Sequence, residues 1–339
     1  MTKSPITAFK KLLGTPRKSV LVTHWSPDGD AMGSSLAMAQ FLKKLGHKVQ
    51  VIVPNEYPEF LQWLPGNKGV LNYQVDQVKC DKIIAAAEVI YTLDFNAWSR
   101  LEKLGKVLAA SPSKKVLIDH HREPENFADY IYHDVAACST CELVYDLIET
   151  TGNKALIDKK MGTCLYTGLM TDTGSFRFPS VTARTHQIIA HLMQVGVVPA
   201  EIHSAVYDSY SYNRLQLLGF ALSQKLKVHP TLPVAWFTFT DSELKQFNYQ
   251  KGDLEGVVNY PFSIKGIQVC GLFQESEGLV KISFRSKGKI DMNTFARNYF
   301  NGGGHVNAAG GRSFDKLVIT EKKFLKKVTE LFNVELAGK

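Results

Sequence analysis

Between residues 19 and 119 the chain alternates short runs rich in β-branched residues with amphipathic helical stretches, a pattern few architectures accept. Residues 19–24 form the first run, residues 31–45 suit a helix, and residues 48–53 form the second run. The order repeats with a run at 89–94, a helix over 98–110 and a run at 115–119. Regular alternation of this kind predicts an α/β fold with a mostly parallel sheet covered by helices on both faces. Ligands of such sheets bind beyond the carboxyl ends of the strands, so the polar residues at those ends carry the functional question.

Three of these strand ends terminate in His or Asp. The first reads His24-Trp-Ser-Pro-Asp28-Gly-Asp30, where Gly29 is expected to turn the backbone so that Asp28 and Asp30 face one pocket. A turn followed by a helix N-cap explains the same two aspartates, since Asp is favoured at both places. The second of these ends is Asp94, closing the run 89–94, which could equally cap the helix containing Trp98 and Leu101. The third ends in Asp119-His120-His121, three ionisable side chains directly after Val116-Leu-Ile, which packing does not explain. A fourth element, Gly168-Leu-Met-Thr-Asp172-Thr-Gly-Ser-Phe-Arg177, ends a helix in an acidic turn.

The set His24, Asp28, Asp30, Asp94, His120 and Asp172, with His121 adjacent, mixes carboxylates and imidazoles without cysteine. Such donors suit Mn²⁺, with Mg²⁺ or Co²⁺ as substitutes, and argue against a structural zinc site. There are enough of them for two divalent ions sharing a ligand. An ion pair of that kind lowers the pKa of a bridging water and stabilises both the attacking and the leaving oxygen of a phosphoryl displacement. Hydrolysis of a phosphoester or phosphoanhydride is the expected chemistry.

With 339 residues the chain is long enough for two domains. Residues 1–198 are expected to form the metal-binding domain, 199–228 a helical connector rich in tyrosine, and 229–339 a smaller mixed α/β domain. In the first, Ser139-Thr-Cys-Glu142 fits a capping box opening a helix. In the last, strands are expected over 234–239, 267–273 and 280–285, followed by a final helix from about residue 320. Gly302, Gly303 and Gly304 allow backbone N–H groups to approach an anion, and His305 adds a donor where a helix is expected to begin; a plain hairpin loop is the alternative.

Forty Lys and Arg against 32 Asp and Glu leave a charge of +8, which suits anionic ligands but also a scattered basic surface. With five cysteines and no apolar leader the reducing cytoplasm is the expected compartment, and no apolar run reaches the length of a membrane span. The Cys138-Ser-Thr-Cys141 spacing overlaps the helix start and is not taken as a redox motif. His47, His133, His186, His191, His203 and His229 lie outside any motif.

The four N-terminal motifs in this order, with Asp119-His120-His121 third, resemble the DHH superfamily of phosphoesterases, and Gly302-Gly-Gly-His305 with Asn307-Ala-Ala-Gly-Gly311 resembles its associated C-terminal domain. The resemblance implies that His24 and Asp28 hold one metal, that Asp30, His120 and Asp172 hold the other, and that Asp94 bridges them. It implies that His121 lies beside the substrate phosphate, that Asp119 supports the histidines, and that Arg285 and the residues from Gly302 to His305 bind substrate. The length and the stretch 172–178 are most similar to the group of bifunctional nanoRNases and pAp phosphatases, which implies short single-stranded RNA or a nucleotide as substrate. A cyclic dinucleotide phosphodiesterase, an exopolyphosphatase-like hydrolase and a non-catalytic nucleotide-binding regulator are the alternatives. No obligate protein partner is expected, and a homodimer is compatible with the sequence.

Overall fold

The computed structural model describes residues 4–276 and 278–337, in two compact units, Met1–Ser209 and Tyr210–Lys339. The first unit is built on six strands, β1 (Lys18–Val22), β2 (Lys48–Val53), β3 (Leu71–Asn72), β4 (Val89–Leu93), β5 (Lys114–Asp119) and β6 (Tyr130–His133). They form an all-parallel sheet in the order β3-β2-β1-β4-β5-β6. Its helices are α1 (Ile6–Leu13), α2 (Gly29–Lys44), α3 (Gln77–Ala85), α4 (Lys103–Ala110), α5 (Thr140–Thr150), α6 (Lys159–Asp172), α7 (Ala183–Gln194) and α8 (Pro199–Tyr207).

Period-two side-chain alternation sorts the strand residues between two faces. Leu21, Val51, Tyr91 and Val116 pack beneath α1, α2, α5 and α6 with Phe9, Met32, Leu143 and Leu165. Val20, Val22, Ile52 and Ile90 point the other way and meet Cys80 and Ile84 of α3 and Leu104 and Leu108 of α4. Each fully buried Leu, Ile or Val contributes roughly 1.5–3 kcal/mol. The register pairs Val22 with Thr92 and Leu93 with Ile118, so β1, β4 and β5 finish at one edge of the sheet.

The expected helix over 98–110 is two pieces, a 3₁₀ turn at Trp98–Leu101 and α4. The Arg100 carbonyl, which a continuous helix would use, instead accepts the Trp25 amide at 2.8 Å, and Glu102 between the pieces is left-handed at φ 53°. Ser139 does cap α5 by accepting the Glu142 amide at 3.1 Å, but the box is one-sided. The Glu142 carboxylate turns away to accept the Cys138 thiol and the Thr185 hydroxyl. Gly29 is the first residue of α2 rather than a turn residue, and space is what requires it: a Cβ there would lie 2.3 Å from the Thr171 hydroxyl oxygen of α6. Gly33 and Gly168 allow the same close approach, which sets the start of α2 against the end of α6.

The second unit contains β7 (Lys227–Val228), β8 (Val234–Phe239), β9 (Val269–Ser276), β10 (Leu279–Ser286), β11 (Gly303–Gly304) and β12 (Ala308–Ser313). They form a mixed sheet in the order β11-β12-β10-β9-β8-β7, in which only β8 and β9 run parallel. Helices α9 (Tyr212–Phe220), α10 (Asp241–Gln246), α11 (Met292–Tyr299) and α12 (Leu317–Ala337) accompany it, and Phe273, Phe284, Phe295, Phe300 and Phe324 form its aromatic centre. Within the stretch 199–228, α8 belongs to the first unit and α9 to the second. No helix among the described residues is long and apolar enough to cross a membrane.

Candidate metal centre

Every strand end singled out from the sequence of the first domain arrives at one place. His24 follows β1, Asp94 follows β4, and Asp119 ends β5 with His120 and His121 just beyond it, while Asp28 and Asp30 open α2 and Asp172 closes α6. Asp94 occupies the middle. Its Oδ2 lies 3.4 Å from His24 Nε2, and its Oδ1 lies 3.5 Å from His120 Nε2 and 3.7 Å from His121 Nδ1. On the first side, Asp28 Oδ2 is 3.8 Å from His24 Nε2; on the second, His120 Nε2 is 3.8 Å from Asp30 Oδ2 and 3.6 Å from Asp172 Oδ2. The ligand atoms of His24, Asp28 and Asp94 lie within 4.8 Å of one another, as do those of Asp30, His120 and Asp172.

Asp28 and Asp30 thus both join the one cluster, on opposite sides of Asp94. The capping and binding readings of Asp28 are also compatible: Oδ1 accepts the amides of Asp30 and Ala31 at 3.0 Å each, while Oδ2 is turned to His24. Asp94 caps nothing, because the 3₁₀ turn after it starts from Ala97. It is held left-handed at φ 65°, a conformation a buried non-glycine residue adopts at an energetic cost, and such strain clusters at functional sites.

The backbone dictates how the histidines present themselves. His24 Nδ1 is 2.9 Å from the Trp25 carbonyl and His120 Nδ1 is 3.2 Å from the Ala137 carbonyl. A carbonyl only accepts, so both Nδ1 atoms donate and both Nε2 atoms face the carboxylates, the arrangement that leaves Nε2 to ligate a metal. Burial alone would lower the pKa of each, but the Asp94 carboxylate reverses this, raising His24 and carrying His120 well above the usual imidazole range. Burial would raise Asp94, yet His120, His24 and His121 hold it well below the carboxylate range. Asp30 is pushed well up by burial and by the neighbouring Asp94 and Asp172.

The cluster thus packs five carboxylates, those of Asp28, Asp30, Asp94, Asp119 and Asp172, around three imidazoles, with Asp119 Oδ2 buried and lacking a donor. Asp30, Asp94 and Asp119 are buried, and negative charge held there calls for cations, of which oxygen donors with imidazole nitrogen suit divalent ones. The residues present fit such a group.

His121 stands apart. Its Nδ1 donates to Asp119 Oδ1 at 2.7 Å, which leaves Nε2 with the lone pair. Burial and the Arg100 cation lower its pKa, against the pull of Asp119, so it is neutral near pH 7. Arg100 also acts on His24 and is half-buried in the 3₁₀ turn. Arg177 donates to the carbonyl of Gly174 at 2.7 Å.

Some supporting residues carried no motif. Thr140 donates its hydroxyl to Asp94 Oδ1 at 3.0 Å, Asn55 accepts the Ser26 amide at 2.7 Å, and His133 Nε2 donates to the His121 carbonyl at 2.6 Å. The Ser-Thr pair opening α5 was the available signal for Thr140. The other histidines outside motifs have local partners: His47 the Leu13 carbonyl, His191 Tyr145, His203 Tyr166, and His229 its own turn, while His186 stacks near Phe176. All five cysteines are free and buried, and the thiols of Cys138 and Cys141 point to different partners, Glu142 and the Asp30 carbonyl.

In the second unit the glycine-rich loop spends its amides on the protein itself. Gly302 N–H donates to the Ala296 carbonyl, Gly304 N–H to Asn293 Oδ1 at 2.9 Å and His305 N–H to the Ala308 carbonyl at 2.7 Å. The glycines admit the close approach of β12: a Cβ on Gly302 would lie 1.9 Å from the Gly310 carbonyl oxygen, and one on Gly304 2.6 Å from that of Ala308. His305 lies in the turn from β11 to β12, where no helix begins. Arg285, on β10, pairs with Ala308 of β12 and so stands beside that turn.

Comparison with known proteins places this geometry. Residues 18–169 match the model of the DHH family N-terminal domain and residues 234–333 that of the DHHA1 domain. The bifunctional oligoribonuclease and PAP phosphatase NrnA of Thermus thermophilus is 31% identical over 291 residues, covering 86% of this chain and 82% of that one. Its namesake from Bacillus subtilis is 26% identical over 292 residues, covering 86% and 88%. A crystal structure of an exopolyphosphatase-related protein from Bacteroides fragilis superposes with a TM-score of 0.90 at 42% identity, covering 96% of this chain and 95% of that one.

Proposed function

The chain belongs to the DHH family and is a phosphoric ester hydrolase; from that premise we propose that it hydrolyses short oligoribonucleotides and 3′-phosphoadenosine 5′-phosphate at a centre holding two divalent cations, Mn²⁺ in the first instance. One observation carries the reading: a single buried carboxylate, Asp94, with a different His and Asp set facing each of its oxygens. His24 and Asp28 with Asp94 would hold one cation, and Asp30, His120 and Asp172 with Asp94 the other. Bound there, divalent cations supply Lewis acidity toward water and phosphoryl oxygens.

The protein's own groups supply the rest. His121, neutral and fixed by Asp119 in one tautomer, can accept a proton at Nε2 and return it to a leaving oxygen. In the second unit, Arg285 and His305 bind the substrate's charged groups, and Gly302, Gly303 and Gly304 serve by letting the loop lie close to β12. The names of the Thermus and Bacillus relatives favour short RNA and pAp. That of the Bacteroides protein keeps polyphosphate as the second reading.

The test is hydrolysis, with Mn²⁺, of pAp, a dinucleotide, a long RNA, a cyclic dinucleotide and polyphosphate. Rapid turnover of pAp and the dinucleotide is the expected result. Preference for the long, cyclic or polymeric substrate would overturn the substrate assignment, and tight binding without turnover of any would move the chain to a regulatory role.

A further inference from the structure

We propose that Thr140 is a positioning residue for the shared ligand Asp94, and that the first turn of α5 is the seat on which both candidate cation sites depend. The proposal rests on the two-cation reading above and extends it to residues that contribute no ligand.

Thr140 is fully buried and is used twice. Its hydroxyl donates to Asp94 Oδ1 at 3.0 Å, and its amide donates to Asp30 Oδ2 at 2.6 Å, while the next amide, of Cys141, donates to Asp30 Oδ1 at 2.9 Å. One helical turn thus holds a carboxylate from each of two other elements, 46 and 110 residues away in sequence. Amides at a helix N-terminus lack intrahelical acceptors and favour negative charge, so Asp30 satisfies them and is oriented by them.

The hydroxyl has no structural task to explain it. Helix capping is done by Ser139, whose Oγ accepts the Glu142 amide. Threonines inside helices return their hydroxyls to the carbonyl one turn back, as Thr163, Thr167 and Thr171 of α6 do. At the first position of α5 Thr140 spends its hydroxyl on Asp94 instead. That bond engages Oδ1, the oxygen facing His120 and His121, and so fixes the plane in which Oδ2 is turned to His24. The turn itself is anchored: Glu142 accepts from Cys138 and from Thr185, the residue that completes the cap of α7.

Removing an outer partner of a metal ligand costs on the order of 10–100-fold in metal affinity. The experiment is calorimetric titration of Mn²⁺ into the metal-stripped full chain, without substrate, for the wild type, T140V, T140A and T140S, with thermal melts of each in the absence of metal. T140V and T140A, which lack the hydroxyl, should bind Mn²⁺ at least about 10-fold more weakly, and T140S, which keeps it, should stay within about threefold of wild type. Metal-free melting of at least one hydroxyl-free variant should match wild type, and excess Mn²⁺ should restore its kcat.

Equal Mn²⁺ affinity in all four proteins would overturn the proposal, as would a T140S as weak as T140V. Melting losses in both T140V and T140A that excess Mn²⁺ leaves uncorrected would make Thr140 a packing residue and also overturn it. A wild type that binds no Mn²⁺ would instead refute the two-cation reading itself.

Discussion

Replacing Asp94 by asparagine tests the centre most directly. The amide keeps the volume of the carboxylate and an oxygen for the Thr140 hydroxyl, and its NH₂ can donate to an imidazole nitrogen, so the metal-free fold should survive. The charge is lost. With His24 and His120 nitrogens at 3.4 and 3.5 Å, and an effective dielectric of ~20, the attraction that favours each charged imidazole, about 5 kcal/mol, disappears, so both rings become neutral rather than unfold the protein. A shared ligand that loses its charge weakens both cation sites together.

For the wild type at Mn²⁺ of about 100 times Kd, one bound ion stabilises the fold by about 2.7 kcal/mol. In a unit of the size of Met1–Ser209, each kcal/mol moves Tm by roughly 2–4 °C, so Mn²⁺ should raise Tm by about 5–10 °C. If D94N raises Kd about 100-fold, the same Mn²⁺ contributes only about 0.4 kcal/mol, a shift of about 1 °C. Turnover should drop on the order of 10³-fold, the scale of losing a principal electrostatic group. Calorimetry or dye-monitored melting with and without Mn²⁺ reads the first effect and release of phosphate from pAp the second. A D94N protein with the wild-type Mn²⁺ shift and turnover would refute the assignment of Asp94 as the shared ligand.

In the metal-free protein His24 and His120 titrate above 6.5. They stabilise the fold below that pH, and this is lost as pH rises through the raised values; Asp30, also raised, acts in the same sense above 3.8. Asp94, depressed, stabilises above 3.8 and loses its contribution as pH falls through its folded value. Metal-free Tm should therefore decline from pH 6 to pH 9, while Mn²⁺ binds more tightly over that range and releases protons; a binding heat independent of buffer ionisation enthalpy would contradict this. R285A and H305A should each raise KM about 10-fold or more with kcat within a few-fold, the effect of losing a charged hydrogen bond, and steady-state kinetics unchanged in both would remove the second unit from substrate binding. G29A should lower Tm through an overpacking cost of about 1–3 kcal/mol, because its Cβ meets Thr171 at 2.3 Å, and T171A in the same chain should recover part of it.

Much of the first unit was legible because its information is local. Strand and helix periodicities differ, and the strands of a parallel sheet end on the same side, so His24, Asp94 and Asp119 could be placed together from spacing alone. The elements that escaped are those with weak local signals: β3 has two residues, and β6 has a Tyr-rich sequence that only pairing with β5 makes a strand. Where expectations failed, a distant partner had claimed the group. Trp25 took the Arg100 carbonyl and broke the helix expected over 98–110, and Thr171 explains Gly29 better than any turn does. The loop from Gly302 to His305 kept its glycines, while the amides of Gly302, Gly304 and His305 went to Ala296, Asn293 and Ala308.

From the sequence alone, then, follow the architecture of the first unit and the cluster of carboxylates and imidazoles at its strand ends, because periodicity and residue type at strand ends are written in neighbouring residues. The tertiary structure decides which donor faces which side of Asp94, which imidazole nitrogen carries the lone pair, and that Thr140 joins Asp94 to Asp30. The last of these rests on approaches between residues 46 and 110 positions apart, and a hydrogen bond between such residues leaves no trace in local pattern until packing brings them within 3 Å.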